Sequence, residues 1–140
     1  MTLKTKNIEI LKELFDQNNY QELIQKVGKL KKEDINDVEI LNLIATSYAR
    51  IGKLENAIDF FYKALEINSE NYTTLLGLAD TLQELGKQAE AVGFYEKLLE
   101  KYPDDDVVNF SSAQGYRKNL NLKKAAFHYG KSNRRLSTGF

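Results

Sequence analysis

Apolar and polar positions follow two nested periods along this chain. Within windows of about a dozen residues, apolar side chains fall at i, i+3, i+4 and i+7, the stripe of an amphipathic helix. Leu41, Ile44, Ala45 and Tyr48 form one such stripe, and Ala57, Ile58, Phe61, Ala64 and Leu65 form the next. Both return after 34 residues: Leu75, Leu78, Ala79 and Leu82 repeat the first, Ala91, Tyr95 and Leu98 the second, and Pro103 closes the unit. A weaker copy follows in Ser112, Ala113 and Tyr116, then Ala125 and Tyr129. A fixed period of this length predicts stacked helix-turn-helix units, each burying its apolar face against its neighbours, and it points to binding rather than catalysis.

Polar residues and glycines punctuate the stripes. Asn36 or Asp37 can accept the free amide hydrogens at the start of a helix, and Gly52 can end it in the left-handed conformation that glycine tolerates. One period later a first helix is predicted from about Tyr72 to Leu85, a stop at Gly86, and a second helix from about Gln88 to Lys101. Tyr102-Pro103-Asp104-Asp105 ends that helix and offers a cap for the next. Stepping back one period places Leu14, Asn18, Leu23, Val27 and Leu30 in register with Tyr48, Gly52, Ala57, Phe61 and Ala64, with Asn18-Asn19 as a turn. Four units follow, about 4–37, 38–71, 72–105 and 106–139, in a single domain spanning 1–140.

These residues resemble the tetratricopeptide repeat, whose signature sets apolar, small and aromatic positions at this spacing. The resemblance covers nearly the whole chain and is most specific in the two middle units. It implies an all-α fold, a right-handed α-solenoid of four tandem helix-turn-helix repeats with about eight antiparallel helices. It also places Ala45, Ala57, Ala64, Ala79 and Ala91 where helices cross closely, with Phe61 and Tyr95 filling the space between units. Both ends depart from the pattern. Leu11, Leu23 and Leu30 stand where small residues are usual, which predicts looser crossings in the first unit. In the last, Asn109 and Ser112 replace large apolar residues and Leu120 replaces the turn glycine. The tail after Arg135 is too short to cap an array.

Composition narrows the chemistry. Net charge is zero, from 20 basic and 20 acidic residues, but from Asp106 onward seven basic residues face Asp106 alone, a local charge of +6 that can steer a partner or favour head-to-tail contact. Without cysteine there is no disulfide framework and no thiolate, and His128 is the only histidine, so neither a metal site nor a cofactor is expected. Asp104-Asp105-Asp106 reads as helix capping, because it lacks the spaced ligands and the glycine of a calcium loop. Neither a glycine-rich phosphate loop nor a nucleophile elbow is present, and no nucleophile, base and oxyanion donor can be assembled, so no enzyme is expected. Arg134-Arg135-Leu136-Ser137 resembles a basophilic kinase site, a short motif that arises by chance. Phe110, Tyr116, Phe127 and Tyr129 interleave with the basic residues, yet they fall mostly on the packing stripe, which argues for burial and against nucleic acid. The apolar runs are far too short for a membrane span, and a cytoplasmic location is expected.

By resemblance, the first helix of each unit lines a concave face on which partner peptides lie. The positions left free there by the packing stripe are Thr5, Ile8, Lys12 and Phe15, then Glu39, Asn42, Thr46, Ala49 and Arg50, then Thr73, Leu76, Asp80 and Gln83, then Val107, Phe110, Gln114 and Arg117. The groove expected to bind a partner comprises Asn42, Thr46, Arg50, Thr73, Leu76, Asp80, Gln83, Phe110, Gln114 and Arg117. Its amides and hydroxyls suit a peptide backbone, and Leu76 and Phe110 suit apolar anchors. The cationic clamp by which some members of the family hold acidic chaperone tails is missing, since Asn42 with Thr46, Gly77, and Val107 with Ser111 hold its places. The leading expectation is a non-enzymatic scaffold or adaptor for a protein or peptide, with self-association through the C-terminal repeat as a variant. The alternative is the N-terminal repeat region of a larger enzyme, presenting substrate to a following catalytic domain.

Overall fold

The computed structural model describes residues 2–118 and 122–137. Among these there is no strand, and nine helices follow one another: α1 (Leu3–Asp16), α2 (Tyr20–Val27), α3 (Lys32–Ile35), α4 (Val38–Arg50), α5 (Leu54–Ile67), α6 (Tyr72–Glu84), α7 (Gln88–Lys101), α8 (Asp106–Lys118) and α9 (Leu122–Ser137). The all-α repeat fold is the one expected, with one addition. The short helix α3 stands between the first two repeats, where about eight helices had left a connection. Ile35 explains it: this side chain packs on the apolar cluster of the first unit, and the chain takes a helical turn to bring it there.

Helix starts and stops share the 34-residue register. The side chains of Asp37, Asn71 and Asp105 accept the backbone N–H groups of Ile40, Thr74 and Val108 at 3.2, 3.0 and 3.0 Å, capping α4, α6 and α8. At the turns inside the first three repeats, Asn18, Gly52 and Gly86 have φ of 60°, 84° and 92°. Only glycine enters this left-handed region without strain, with asparagine the best tolerated alternative. The corresponding turn at Leu120 lies outside the described residues.

The chain divides into two compact units, residues 1–77 and 78–140. In the first, Leu11, Leu23, Val27, Ile40 and Ile44 form a buried cluster, with Ile8, Leu14, Phe15, Ile35, Leu43, Tyr48 and Phe60 packed around it. Leu11 and Leu23 are fully buried, so the leucines at small-residue positions fill space inside the first repeat. Ala45, Ala57 and Ala64 are fully buried where α4 packs on α5. In the second unit, Ala79, Leu82, Ala91, Tyr95, Leu98, Val108 and Ala113 are buried. Asn109 and Ser112, at apolar positions of the last repeat, are buried as well.

Phe61 sets one tight constraint in the first unit. A Cβ added at Gly77 would stand 2.4 Å from Cζ and 2.6 Å from Cε1 of this buried ring. Gly77→Ala would add helix propensity worth ~1 kcal/mol, but the buried ring would have to shift within a packed interior to admit the methyl group. The expected net result is a loss of about 1–2 kcal/mol from overpacking, read as a lower urea midpoint. An unchanged or raised midpoint would contradict this packing.

Candidate functional site

In the first unit a cleft of about 600 Å³ is lined by Phe15 of α1, by Asp37, Val38, Glu39, Asn42, Leu43 and Thr46 at and along α4, and by Asn71 and Thr73 at the start of α6. It brings together Asn42, Thr46 and Thr73 of the groove expected from sequence; exposed Arg50 and half-buried Leu76 are not among its lining residues. Asn42 has a role that sequence spacing did not show. Only 7% exposed, it donates through Nδ2 to Asn71 Oδ1 at 3.3 Å and accepts from the Thr74 hydroxyl at 2.8 Å. Its amide is thus occupied in tying α4 to α6, and Thr46 and Thr73 are the cleft's hydroxyls.

The cleft's two carboxylates are already neutralised. Asp37 pairs with Lys4 at 3.3 Å and Glu39 pairs with Lys12, both lysines lying on α1. The hydrogen bond and charge of Glu39 hold the Lys12 ammonium above its ordinary pKa. What a ligand meets is therefore hydroxyls between the apolar walls of Phe15, Val38 and Leu43, with no net charge. Of the lining residues that the sequence reading left out, Asp37 and Asn71 carry a legible signal, because they are helix caps one repeat apart. Val38 and Leu43 carry none, since α4 is apolar over most of its circumference.

In the second unit the five remaining groove residues fall on α6 and α8. Asp80 is exposed and its Oδ1 accepts a short hydrogen bond from the buried Tyr95 hydroxyl. Gln83 is buried, Gln114 is half-buried and Arg117 is exposed. Phe110 is 48% exposed, with its ring edge-on to Tyr129 at 5.8 Å. Phe127 is 59% exposed. The packing stripe therefore buries Tyr116 but neither of these phenylalanines, which corrects the expectation that the aromatics of this repeat are mostly buried. The polar last repeat is pinned differently. Asn109 Nδ2 donates to the carbonyls of Pro103 and Asp105, both at 2.9 Å, which leaves its Oδ1 to accept from His128 Nδ1–H. His128 stacks on Tyr116 with centroids 5.4 Å apart, and Tyr116 donates to Glu96 at 2.8 Å. Burial, and then Glu96, push the Tyr116 hydroxyl up to about 12. Among the described residues no three histidine, cysteine, aspartate or glutamate side chains converge as a metal site would need, and no helix is long and apolar enough to cross a membrane.

Paired helices, caps and turns in one register, and a polar cleft beside the first-helix positions define a helical-repeat protein. The chain belongs to the tetratricopeptide repeat family, whose model matches residues 36–104. Among solved structures it is similar to MamA, with a TM-score of 0.87 at 17% identity over 98% of this chain and 80% of that one. MamA from Desulfovibrio magneticus RS-1, taken from its residue 41 to the end, gives 0.85 at 18% over 94% and 75%. YrrB, described as a TPR protein with an unusual peptide-binding site, gives 0.78 at 14% over 93% and 67%. At these identities the likeness is one of fold. No curated protein sequence matches this one.

His128 makes the last repeat sensitive to acid. Burial, then the charges of Lys131 and Lys124, lower its pKa below the ordinary value against a smaller opposing pull from Glu96. Lys131 is itself ion-paired with Asp104, and the imidazole ring stacks on Tyr116. A lowered folded-state pKa means that the neutral ring's contribution is complete above the unfolded value of about 6.5 and is lost as pH falls through the folded one. The unfolding midpoint should therefore drop on acidification from pH 7.5 to 5.0 by more in the wild type than in His128→Gln. Equal drops would remove this assignment.

Proposed function

We propose that this chain is a non-enzymatic scaffold or adaptor that holds a peptide segment of a partner protein along the first-helix faces of its repeats, read as one domain over 1–140. The single observation that carries this reading is the cleft of the first unit. Its volume of about 600 Å³ suits a few side chains of an extended or helical segment, with Thr46 and Thr73 to meet its backbone and Phe15, Val38 and Leu43 to take an apolar anchor. The fold is consistent with such a role, since the similar YrrB is described as having a peptide-binding site. Thr46→Arg combined with Thr73→Arg would fill the cleft while sparing the Asn42–Thr74 bridge. The double variant should retain its helical circular dichroism and lose partner capture by about tenfold, equal to ~1.4 kcal/mol. Full capture by a folded variant would sink the proposal.

A second reading has its own observation. Val107 and Phe127 in the C-terminal repeat are 55% and 59% exposed, and large exposed apolar side chains favour contact with another surface. Self-association through this repeat would raise the sedimentation mass with protein concentration, and Val107→Glu with Phe127→Glu would hold it at that of the monomer. A wild type that stays monomeric throughout would eliminate this second reading.

A further inference from the structure

Within the second unit, the junction between successive repeats is made by a small set of side-chain pairings. Val92 of α7 and Gln83 of α6 both reach α8 at Gly115, where an added Cβ would stand 3.4 Å from Val92 Cγ2 and 2.7 Å from Gln83 Oε1. Tyr95 of α7 hydrogen-bonds with Ser111 of α8, and Glu96 accepts the Tyr116 hydroxyl at 2.8 Å. One period later Gln83, Val92, Tyr95 and Glu96 become Arg117, Ala126, Tyr129 and Gly130. Arg117, Ala126 and Gly130 are exposed and Tyr129 is half-buried, and a Cβ added at Gly130 would meet no atom within 4 Å. The face by which one repeat packs on the next is thus repeated at the α8–α9 end, where no described residue covers Ala126 or Gly130.

A matching face stands on α1 of the same chain. Three periods before Ser111 and Gly115 are Glu9 and Glu13, both exposed, with Asp16 exposed on the same helix. Leu3 and Ile10 of α1 are 66% and 38% exposed. Lys4 and Lys12 of this helix are engaged by Asp37 and Glu39, so Glu9, Glu13 and Asp16 have no ion pair among the described residues. Arg117 has none either. Size is complementary as well as charge. The junctions inside the chain set large Phe61 on Gly77 and Val92 on Gly115, whereas the two ends reverse the order, with Ala126 and Gly130 small and Glu9 and Glu13 long. Over longer range the chain is +6 from Asp106 onward and, being neutral as a whole, −6 before it.

We propose that the α8–α9 end of one copy stacks on α1 of a second copy and carries the repeat register from chain to chain, with Arg117 against Glu13 and Tyr129 against Glu9. The pairing of Gln83 with the Gly115 position becomes that of a guanidinium with a carboxylate, a charge-assisted contact. The Tyr129 hydroxyl donates to Glu9 as the Tyr95 hydroxyl donates to Asp80. Opposite charge on the two ends steers the copies head to tail. Because the two faces differ, each added copy leaves one of each open, and association continues unless a ring closes. This inference rests on the self-association reading and adds to it the opposing surface and its pairs.

The test is sedimentation equilibrium of the full chain over a concentration series at low and at high salt. The wild type should gain mass with concentration, and less so as salt rises. Arg117→Glu and Glu13→Arg each set like charges face to face and should each weaken association roughly tenfold. Both positions are exposed, so the helical circular dichroism should not change. The double variant, and an equimolar mixture of the two single variants, should regain the wild-type mass, because every carboxylate again meets a cation. Single variants that associate like the wild type overturn the inference, as does a double variant and mixture that fail to recover. If Val107→Glu with Phe127→Glu then still abolishes assembly, self-association through another contact stands without it. A wild type that remains monomeric throughout removes both.

Discussion

Phe61 resting on the bare backbone of Gly77 is the constraint on which the repeat packing depends. Here a ring from the second helix of one repeat lies against the first helix of the next at a position that lacks a side chain. The buried alanines Ala45, Ala57 and Ala64 let α4 and α5 approach closely, and that approach places the ring. One repeat later the same two positions hold Tyr95 and Ser111. The ring is still buried, but it carries a hydroxyl that ends on Asp80. A packing residue has thereby become the support of a polar group on the binding face, and two hydroxyls account for the change.

The two units offer a ligand different chemistry. In the first, lysines of α1 neutralise the carboxylates beside the cleft, leaving hydroxyls and apolar walls. In the second, the neutral hydroxyls of Tyr95 and Ser111 support the carboxylate of Asp80 against the loss of water around it. The polar ends of the array differ in the same sense. Asn7 and Asn109 share the position of Leu41 and Leu75, and all four are buried. Asn109 has every polar atom of its side chain engaged, whereas Asn7 Nδ2 is buried without a partner among the described residues. A buried amide is tolerated where its partners are built in and is a weak point where they are not.

Much of this was legible in the chain itself. The 34-residue register located the helices, the turns at Asn18, Gly52 and Gly86 and the buried alanines, because each follows from the local backbone or from one-sided burial and leaves a residue type behind. The groove was legible only as a set of positions. Spacing places Asn42 and Asp80 alike on the first-helix face, yet Asn42 is consumed by Asn71 and Thr74 while Asp80 keeps its charge facing outward. The helical turn α3 left no periodic trace, since a single half-buried side chain, that of Ile35 against the apolar cluster, accounts for it.

The sequence by itself determined the repeat, its period, its caps and stops, and therefore the family, because those depend on interactions within a few residues and on which face is apolar. Only the tertiary structure decided which polar side chains remain open to a partner. That depends on neighbours 29, 32 or 15 positions away, as for Asn42 with Asn71, Asn42 with Thr74, and Asp80 with Tyr95. A hydrogen bond across such a distance is made or missed according to helix packing, and residue type alone does not record it.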